Sequence, residues 1–158
     1  MPEVRRARPE EAPLLLDLIL GLAKYEKLEP PDEAAQRRLV ADIFGERPRL
    51  EAWLVFADGE AAGYALVFET YSSFLALPTL YLEDIFVRPE FRGRGAGAAL
   101  FRRMVEEAGR RGCGRMEWVV LDWNQTALDF YERFGAQRLK EWITMRLTRA
   151  DFDRILKE

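Results

Sequence analysis

The segment from Arg92 to Gly97, which reads Arg-Gly-Arg-Gly-Ala-Gly, constrains this chain more than any other. It follows an apolar stretch, residues 80–87, that predicts a strand, and it opens residues 96–110, whose apolar residues recur at helical spacing. Glycines let a backbone approach a ligand closely, and the first amides of a helix have no helical partner. Two arginines add positive charge. The segment therefore predicts a phosphate site at the start of a helix.

A dinucleotide site is one alternative for this loop. Gly93, Gly95 and Ala98 fit the pattern G-x-G-x-x-G/A, and Glu117 follows at a suitable distance. That fingerprint needs its first glycine directly after the strand, whereas residues 88–92 intervene here. We therefore favour a different phosphate-bearing cofactor. A flexible surface turn with incidental arginines is the remaining alternative.

The segments on either side predict an α/β protein. Apolar periodicity and turn signals give the order β-α-α-β-β-β-α-β-α-β-β. We expect Asp32 and Asn124 to cap helices and Asp58-Gly59 to close a hairpin. A buried strand over residues 116–121 and a final strand pair over residues 139–147 complete the expected sheet.

Composition indicates a globular protein. The chain has 158 residues, of which 49% are apolar and 32% charged, so we expect a single domain over residues 1–158. No apolar run reaches membrane-spanning length and no signal-like stretch follows Met1, so we expect a cytoplasmic protein without a membrane partner. A net charge of −3 argues against a nucleic-acid partner.

The chain has no histidine and one cysteine, Cys113. This excludes a Ser-His-Asp triad and a Cys-His pair, and it leaves no expected metal site. Acid–base chemistry then falls to Glu, Asp, Tyr, Lys or water. We expect Cys113 to be inert because it lies in a turn without a neighbouring base.

Two segments resemble the central motifs of the GNAT acetyltransferases. Residues 82–89 with 92–97 are similar to motif A, and residues 120–124 with 130–136 are similar to motif B. The chain further resembles the spermidine/spermine acetyltransferase branch, which includes thialysine acetyltransferases. The features that match this branch are Leu22 to Glu26, Tyr81 to Asp84, Trp123-Asn124 and Trp142.

The resemblance implies the GNAT fold, a mixed and mostly antiparallel sheet flanked by helices. It implies direct transfer of an acetyl group from acetyl-CoA to the primary amine of a small molecule, such as a polyamine, a diamine or a thialysine-like amino acid. It also implies a homodimer that shares its last strands. The alternatives are a non-catalytic acyl-CoA-binding module and an enzyme acting on protein lysine or an antibiotic.

The resemblance assigns acetyl-CoA binding to three parts of the chain. These are the backbone at Ile85, Phe86 and Val87, the loop residues Arg92, Gly93, Arg94, Gly95, Ala96, Gly97 and Ala98, and the pair Asn124 and Tyr131. Amides near residues 85–87 would stabilise the oxyanion, because this strand splays open in the family. For Asn124 the alternative is a plain helix cap.

Proton transfers need two further groups. An alkylammonium has no lone pair, so the acceptor must lose a proton, and the resemblance, which places Glu83 at the acceptor site, makes it the expected base. Its alternative role is to bind the cationic substrate. The resemblance makes Tyr131 the general acid for the leaving thiolate, the alternative being a buried aromatic beside Phe130 and Phe134. Strand alternation predicts that Glu83 and Asp84 point to opposite faces.

The acceptor site is expected to include an aromatic face and carboxylates, which suit an ammonium ion. The resemblance assigns Tyr25, Glu26, Phe74, Glu83 and Asp84 to this site, and for Tyr25 and Glu26 the alternative is a helix end with exposed polar groups. The segment from Tyr71 to Phe74 departs from the polyamine enzymes, which carry an acidic residue and a tryptophan there. This departure favours thialysine-like amino acids or other short amines.

Overall fold

The structure, a computed structural model, describes residues 1–158 and divides them into two compact units, residues 1–119 and 120–158. The first unit contains five strands and three α-helices. In chain order these are β1 (Glu3–Arg6), α1 (Ala12–Glu26), α2 (Glu33–Phe44), β2 (Glu51–Ala57), β3 (Glu60–Ser72), β4 (Leu77–Val87), α3 (Ala96–Arg110) and β5 (Arg115–Glu117).

The five strands form one sheet in the order β1-β2-β3-β4-β5. The first three pairings are antiparallel, and the pairing of β4 with β5 is parallel. The parallel pair is joined through α3, as a parallel crossover requires. The expected α/β class with a mixed, mostly antiparallel sheet is confirmed.

Local sequence signals explain several boundaries in this unit. The Asp32 carboxylate accepts a hydrogen bond of 2.8 Å from the Ala35 amide and so caps α2 as expected. Asp58 and Gly59 both have positive φ, 54° and 79°, in the two-residue connection between β2 and β3. Asp-Gly accepts this geometry at low cost, and the tight turn sets the pairing of the two strands.

Helices cover both faces of the sheet. On one face, apolar residues of α1 join a core cluster with Tyr64, Leu66 and Phe86 of the sheet. We call this the α1 face. On the other face, α3 buries Leu100 and Met104, and the Arg103 guanidinium lies 4.9 Å from the Trp53 ring.

An ion-pair network anchors the C-terminal end of α3. The Glu107 side chain is only 2% exposed and pairs with Arg103, Arg110 and Arg111 at 3.0, 2.7 and 3.3 Å. Arg111 in turn pairs with Glu51 of β2 at 2.5 Å. A buried carboxylate needs such partners, and here they fix α3 against the sheet.

The strand expected over residues 116–121 is much shorter than predicted. Only Arg115–Glu117 form β5, which pairs with Thr79 to Tyr81 of β4. Residues 118–121 are outside any strand. The ladder between β4 and β5 therefore ends at Tyr81, and the following residues of β4 pair only with β3 within this unit.

The second unit contains α4 (Gln125–Arg133) and α5 (Arg149–Ile155). The Asn124 side chain accepts a hydrogen bond of 3.2 Å from the Ala127 amide, so it caps α4 as expected. The strand pair expected over residues 139–147 is wrong for this single chain, because these residues form no strand. Apolar periodicity does not make a strand unless a neighbour completes the hydrogen-bond ladder.

No helix in the structure has the length and apolar character needed to cross a bilayer.

Candidate active site

The glycine loop lies where the sequence predicts it, directly before α3. Gly93 and Gly95 adopt positive φ, 75° and 84°, and Gly95 is the residue that precedes the helix. A Cβ atom built on either glycine meets no atom within 4 Å, so the space above this backbone is open. The first amides of α3 have no helical partners. These features suit a pyrophosphate group.

Both loop arginines have partners. The Arg92 Nε atom donates to the Val87 carbonyl at 2.9 Å, and the Arg92 guanidinium lies 4.5 Å from the Tyr25 ring centroid. Arg94 pairs with Asp58 at 3.2 Å. The loop therefore carries positive charge that neighbouring groups orient, and Arg92 connects the loop to Tyr25 at the end of α1.

Strand β4 contains a β-bulge that the sequence did not reveal. Asp84 is paired with Leu66, and Leu82 is paired with the next residue, Val67, so Glu83 is an extra residue without a partner on β3. Alternation from Leu82 places Glu83 on the α1 face, and the pairing with Leu66 places Asp84 there too. The prediction that Glu83 and Asp84 point to opposite faces is therefore wrong, because the bulge interrupts the two-residue period.

Asp84 receives a hydrogen bond from a buried tyrosine. The Tyr64 hydroxyl donates to Asp84 Oδ2 at 2.9 Å, and Tyr64 is fully buried. Burial raises the pKa of Asp84 to about 6, the Tyr64 bond opposes that rise, and the charges of Glu83 and Glu26 add to it. Burial and the Asp84 charge raise the pKa of Tyr64, which stays a hydrogen-bond donor.

The end of α1 supplies two of the expected acceptor residues. The ring of Tyr25 lies 6.4 Å from that of Phe86, which in turn lies 6.5 Å from Tyr64. Burial raises the pKa of Glu26, whose charge acts on both Tyr64 and Asp84. Glu26, Glu83 and Asp84 thus form one electrostatically connected group on the α1 face, which we call the carboxylate cluster.

The backbone at Ile85, Phe86 and Val87 follows the bulge directly. Gly63 of β3 is paired with Val87, and a Cβ atom at Gly63 would lie 2.2 Å from the Phe86 carbonyl oxygen. Only glycine permits this close approach of the two strands. Because the ladder with β5 ends at Tyr81, the other edge of these three residues has no strand partner in the first unit. The role of these amides as oxyanion donors stays a prediction.

Phe74 is separate from this group. It lies in the connection between β3 and β4 and is 99% exposed. The structure therefore brings Tyr25, Glu26, Glu83 and Asp84 together through shared neighbours and leaves Phe74 at the tip of a hairpin. A contribution of Phe74 to the acceptor site stays a prediction.

The other expected residues lie in the second unit. Tyr131 is the one buried residue of α4, and its ring packs edge-on against Phe130 at 5.3 Å. Asn124 caps the same helix. The roles of Asn124 at the cofactor and of Tyr131 as an acid stay predictions.

Cys113 follows the end of α3, where burial raises the pKa of its thiol. A raised pKa disfavours the thiolate, the nucleophilic form.

Comparison with known proteins identifies the family. Residues 18–136 match the family model described as Acetyltransferase (GNAT) family. The chain belongs to the GNAT family. This GNAT chain is 39% identical to the thialysine N-epsilon-acetyltransferase of Bos taurus, over 87% of its own length and 85% of the relative's. It is 31% identical to the L-ornithine N5-acetyltransferase of Arabidopsis thaliana, with coverage of 92% and 83%.

A solved structure of an integron cassette protein from V. cholerae has the same fold. Its TM-score is 0.84 at 21% identity, and the match covers 99% of this GNAT chain and 98% of that protein. With the family established, the protein is an N-acetyltransferase and acetyl-CoA is its acetyl donor. The open, amide-rich loop before α3 fits the pyrophosphate of that donor.

Sequence reasoning did not identify Tyr64 as part of this site. The one sequence feature that could have pointed to Tyr64 is a phenol within an apolar strand, because a buried hydroxyl needs a polar partner. The sequence does not show which partner that is, because Asp84 reaches Tyr64 only through the register that the bulge creates.

Proposed function

We propose that this enzyme acetylates the primary amine of a small molecule, and that short diamines or thialysine-like amino acids are preferred. The carboxylate cluster carries the proposal, since Glu26, Glu83 and Asp84 suit an ammonium group and Tyr25 offers an aromatic face. Relatives named for thialysine and ornithine support the same class of acceptor.

The proposed preference for short amines rests on the β3–β4 hairpin. A long polyamine carries further ammonium groups, which would require a second anionic contact away from the carboxylate cluster. The connection between β3 and β4, residues 73–76, has no carboxylate. This arrangement supports a single ammonium site with room for a short substrate.

In this proposal each group of residues has a separate role in the reaction. Loop amides from Gly93 to Ala98, with Arg92, Arg94 and Asn124, would hold acetyl-CoA, which supplies the thioester acetyl group when bound. Glu83 is exposed and unpaired with β3 at the bulge, and its carboxylate would take the amine proton. Amides near Ile85 to Val87 would donate to the oxyanion, and the Tyr131 hydroxyl would supply the proton that the thiolate needs.

A panel of amines tests the proposal. The purified protein would be incubated with acetyl-CoA and thialysine, L-ornithine, L-lysine, a short diamine, spermidine, a lysine peptide or an aminoglycoside. We expect thiol release, and a mono-acetylated product by mass spectrometry, that is fastest with the amino acids and the diamine. Activity confined to the peptide or the aminoglycoside, or no activity with any amine, would contradict the proposal.

We further propose that the enzyme is a cytoplasmic homodimer with one catalytic domain over residues 1–158. The support for the dimer is residues 139–147, which form no strand in the single chain and expose Trp142, Ile143 and Met145 by 74%, 80% and 87%. A second copy that supplied strand partners would cover them. Light scattering after gel filtration should give twice the 18.3 kDa chain mass. Cell fractionation would test the location.

A further inference from the structure

The hydrogen bond between Tyr64 and Asp84 joins a group that solvent does not reach to one that solvent and substrate can reach. Tyr64 is fully buried within the core of the α1 face, between Leu66 and Phe86. Asp84 is partly exposed and belongs to the carboxylate cluster. The bond of 2.9 Å engages Oδ2 alone, so Oδ1 remains available to a substrate.

The surroundings of Asp84 are unfavourable to its charge. It is partly buried, and the charged groups that act on it from α1 and β4 are two other carboxylates, Glu26 and Glu83. The Arg92 guanidinium lies over the rings of Tyr25 and Phe86. Its Nε atom donates to the Val87 carbonyl. The Tyr64 hydroxyl is the one hydrogen-bond donor to the Asp84 carboxylate.

We propose that Tyr64 is a positioning residue for the acceptor amine: its hydroxyl orients the Asp84 carboxylate and keeps it ionised, so that Asp84 binds the substrate ammonium beside Glu83. This inference rests on the proposed function, because it assigns Asp84 to ammonium binding and leaves proton removal to Glu83. A phenol serves this purpose better than an amide or a water, since packing against Phe86 fixes its direction.

The direction of the pH effect follows from the bond. A hydrogen bond to the ionised form lowers a carboxyl pKa, so removal of the hydroxyl should raise the pKa of Asp84 further above its present value of about 6. A rise of about one pH unit would leave roughly half of the Asp84 carboxyls protonated at pH 7. A neutral Asp84 would attract an ammonium group poorly.

The test is Tyr64→Phe, which removes one oxygen atom and keeps the buried ring. At pH 7 we expect the KM for the amine to rise about tenfold, the KM for acetyl-CoA to stay unchanged, and the acidic limb of the kcat/KM profile to move to higher pH by about one pH unit. Tyr71→Phe is the matched control, because Tyr71 is 67% exposed on the same strand and should leave all three quantities unchanged.

Two measurements separate this inference from the proposed function and from a folding defect. NMR titration of the Asp84 carboxyl, assigned by its loss in Asp84→Asn, needs no activity and should show a higher midpoint in Tyr64→Phe. In the background of Asp84→Asn, Tyr64→Phe should have little further effect on amine affinity. An unchanged carboxyl midpoint, or equal effects of Tyr64→Phe with and without Asp84, would overturn the inference. Absence of wild-type activity would instead overturn the proposed function.

Discussion

The guanidinium of Arg92 lies 4.5 Å from the centre of the Tyr25 ring, and this contact joins the glycine loop to the end of α1. Arg92 belongs to the proposed donor site and Tyr25 to the proposed acceptor site. A stacked guanidinium stabilises the orientation of an aromatic side chain as well as its own. Substitutions in the loop should therefore change the affinity for the amine substrate.

Arg92→Ala tests this connection. We expect weaker binding of acetyl-CoA and, in addition, a loss of amine affinity of about threefold, the size of one exposed cation–π contact. Arg94→Ala is the control, because Arg94 pairs with Asp58 instead and should weaken acetyl-CoA binding alone. Calorimetry with each ligand separately would measure both effects. Identical losses of amine affinity in the two variants would disprove the connection.

Gly95→Ala tests the loop as a phosphate site. Alanine at a φ of 84° should cost about 1 kcal/mol of unfolding free energy, and the new Cβ atom would occupy open space where a phosphate would approach. We expect affinity for acetyl-CoA to fall about tenfold or more. Gly112→Ala is a matched control at the other end of α3, with a φ of 70° and similarly open space. It should show the same loss of stability with unchanged affinity, and parallel losses of affinity would count against the site.

Asp84→Asn should stabilise the protein at neutral pH. The pKa of Asp84 is raised from 3.8 to about 6 on folding, so its ionisation costs stability as the pH rises through that interval. The resulting loss of unfolding free energy is about 3 kcal/mol at most. It is present in full above about pH 6 and absent below about pH 4. Denaturant titrations at pH 4 and pH 8 would measure the difference, with the exposed Asp17→Asn as a control that changes little. A gain that does not depend on pH would contradict this account.

Tyr131→Phe addresses the proposed acid. Turnover should fall about a hundredfold, and affinity for acetyl-CoA should persist because the ring stays in place. Steady-state rates combined with a binding titration separate the two effects. If the variant keeps the wild-type rate, Tyr131 is only the buried aromatic residue that helical spacing first suggests beside Phe130.

Local signals in the sequence were sufficient to predict the structure wherever a single residue type determines the backbone conformation. Asp32 and Asn124 cap their helices and Asp58-Gly59 closes its hairpin, because each interaction involves only neighbouring residues. The glycine loop belongs to the same class. These features place the donor loop and the order of the elements up to α4 without knowledge of tertiary contacts.

Features that depend on pairing between distant segments were not accessible in the same way. Alternation predicted Glu83 and Asp84 on opposite faces, and one extra residue in β4 places them on the same face. The same argument explains residues 139–147, where periodicity predicted a strand that has no partner within the chain. In both cases the deciding information lies in a second segment.

The bulge at Glu83 also has a consequence for how substrate range could change over evolutionary time. Deleting this one residue would restore strict alternation, and one half of β4 would then have to rotate relative to the other. Asp84 and Phe86 would turn away from α1, or Leu80 and Leu82 would turn away from α3. Point substitutions at Glu83 leave the pairing of β3 with β4 unchanged, since Glu83 has no partner on β3. Length changes there should therefore be eliminated by selection, and because Glu83 is also the proposed base, variation in acceptor specificity should accumulate at other residues of the acceptor site.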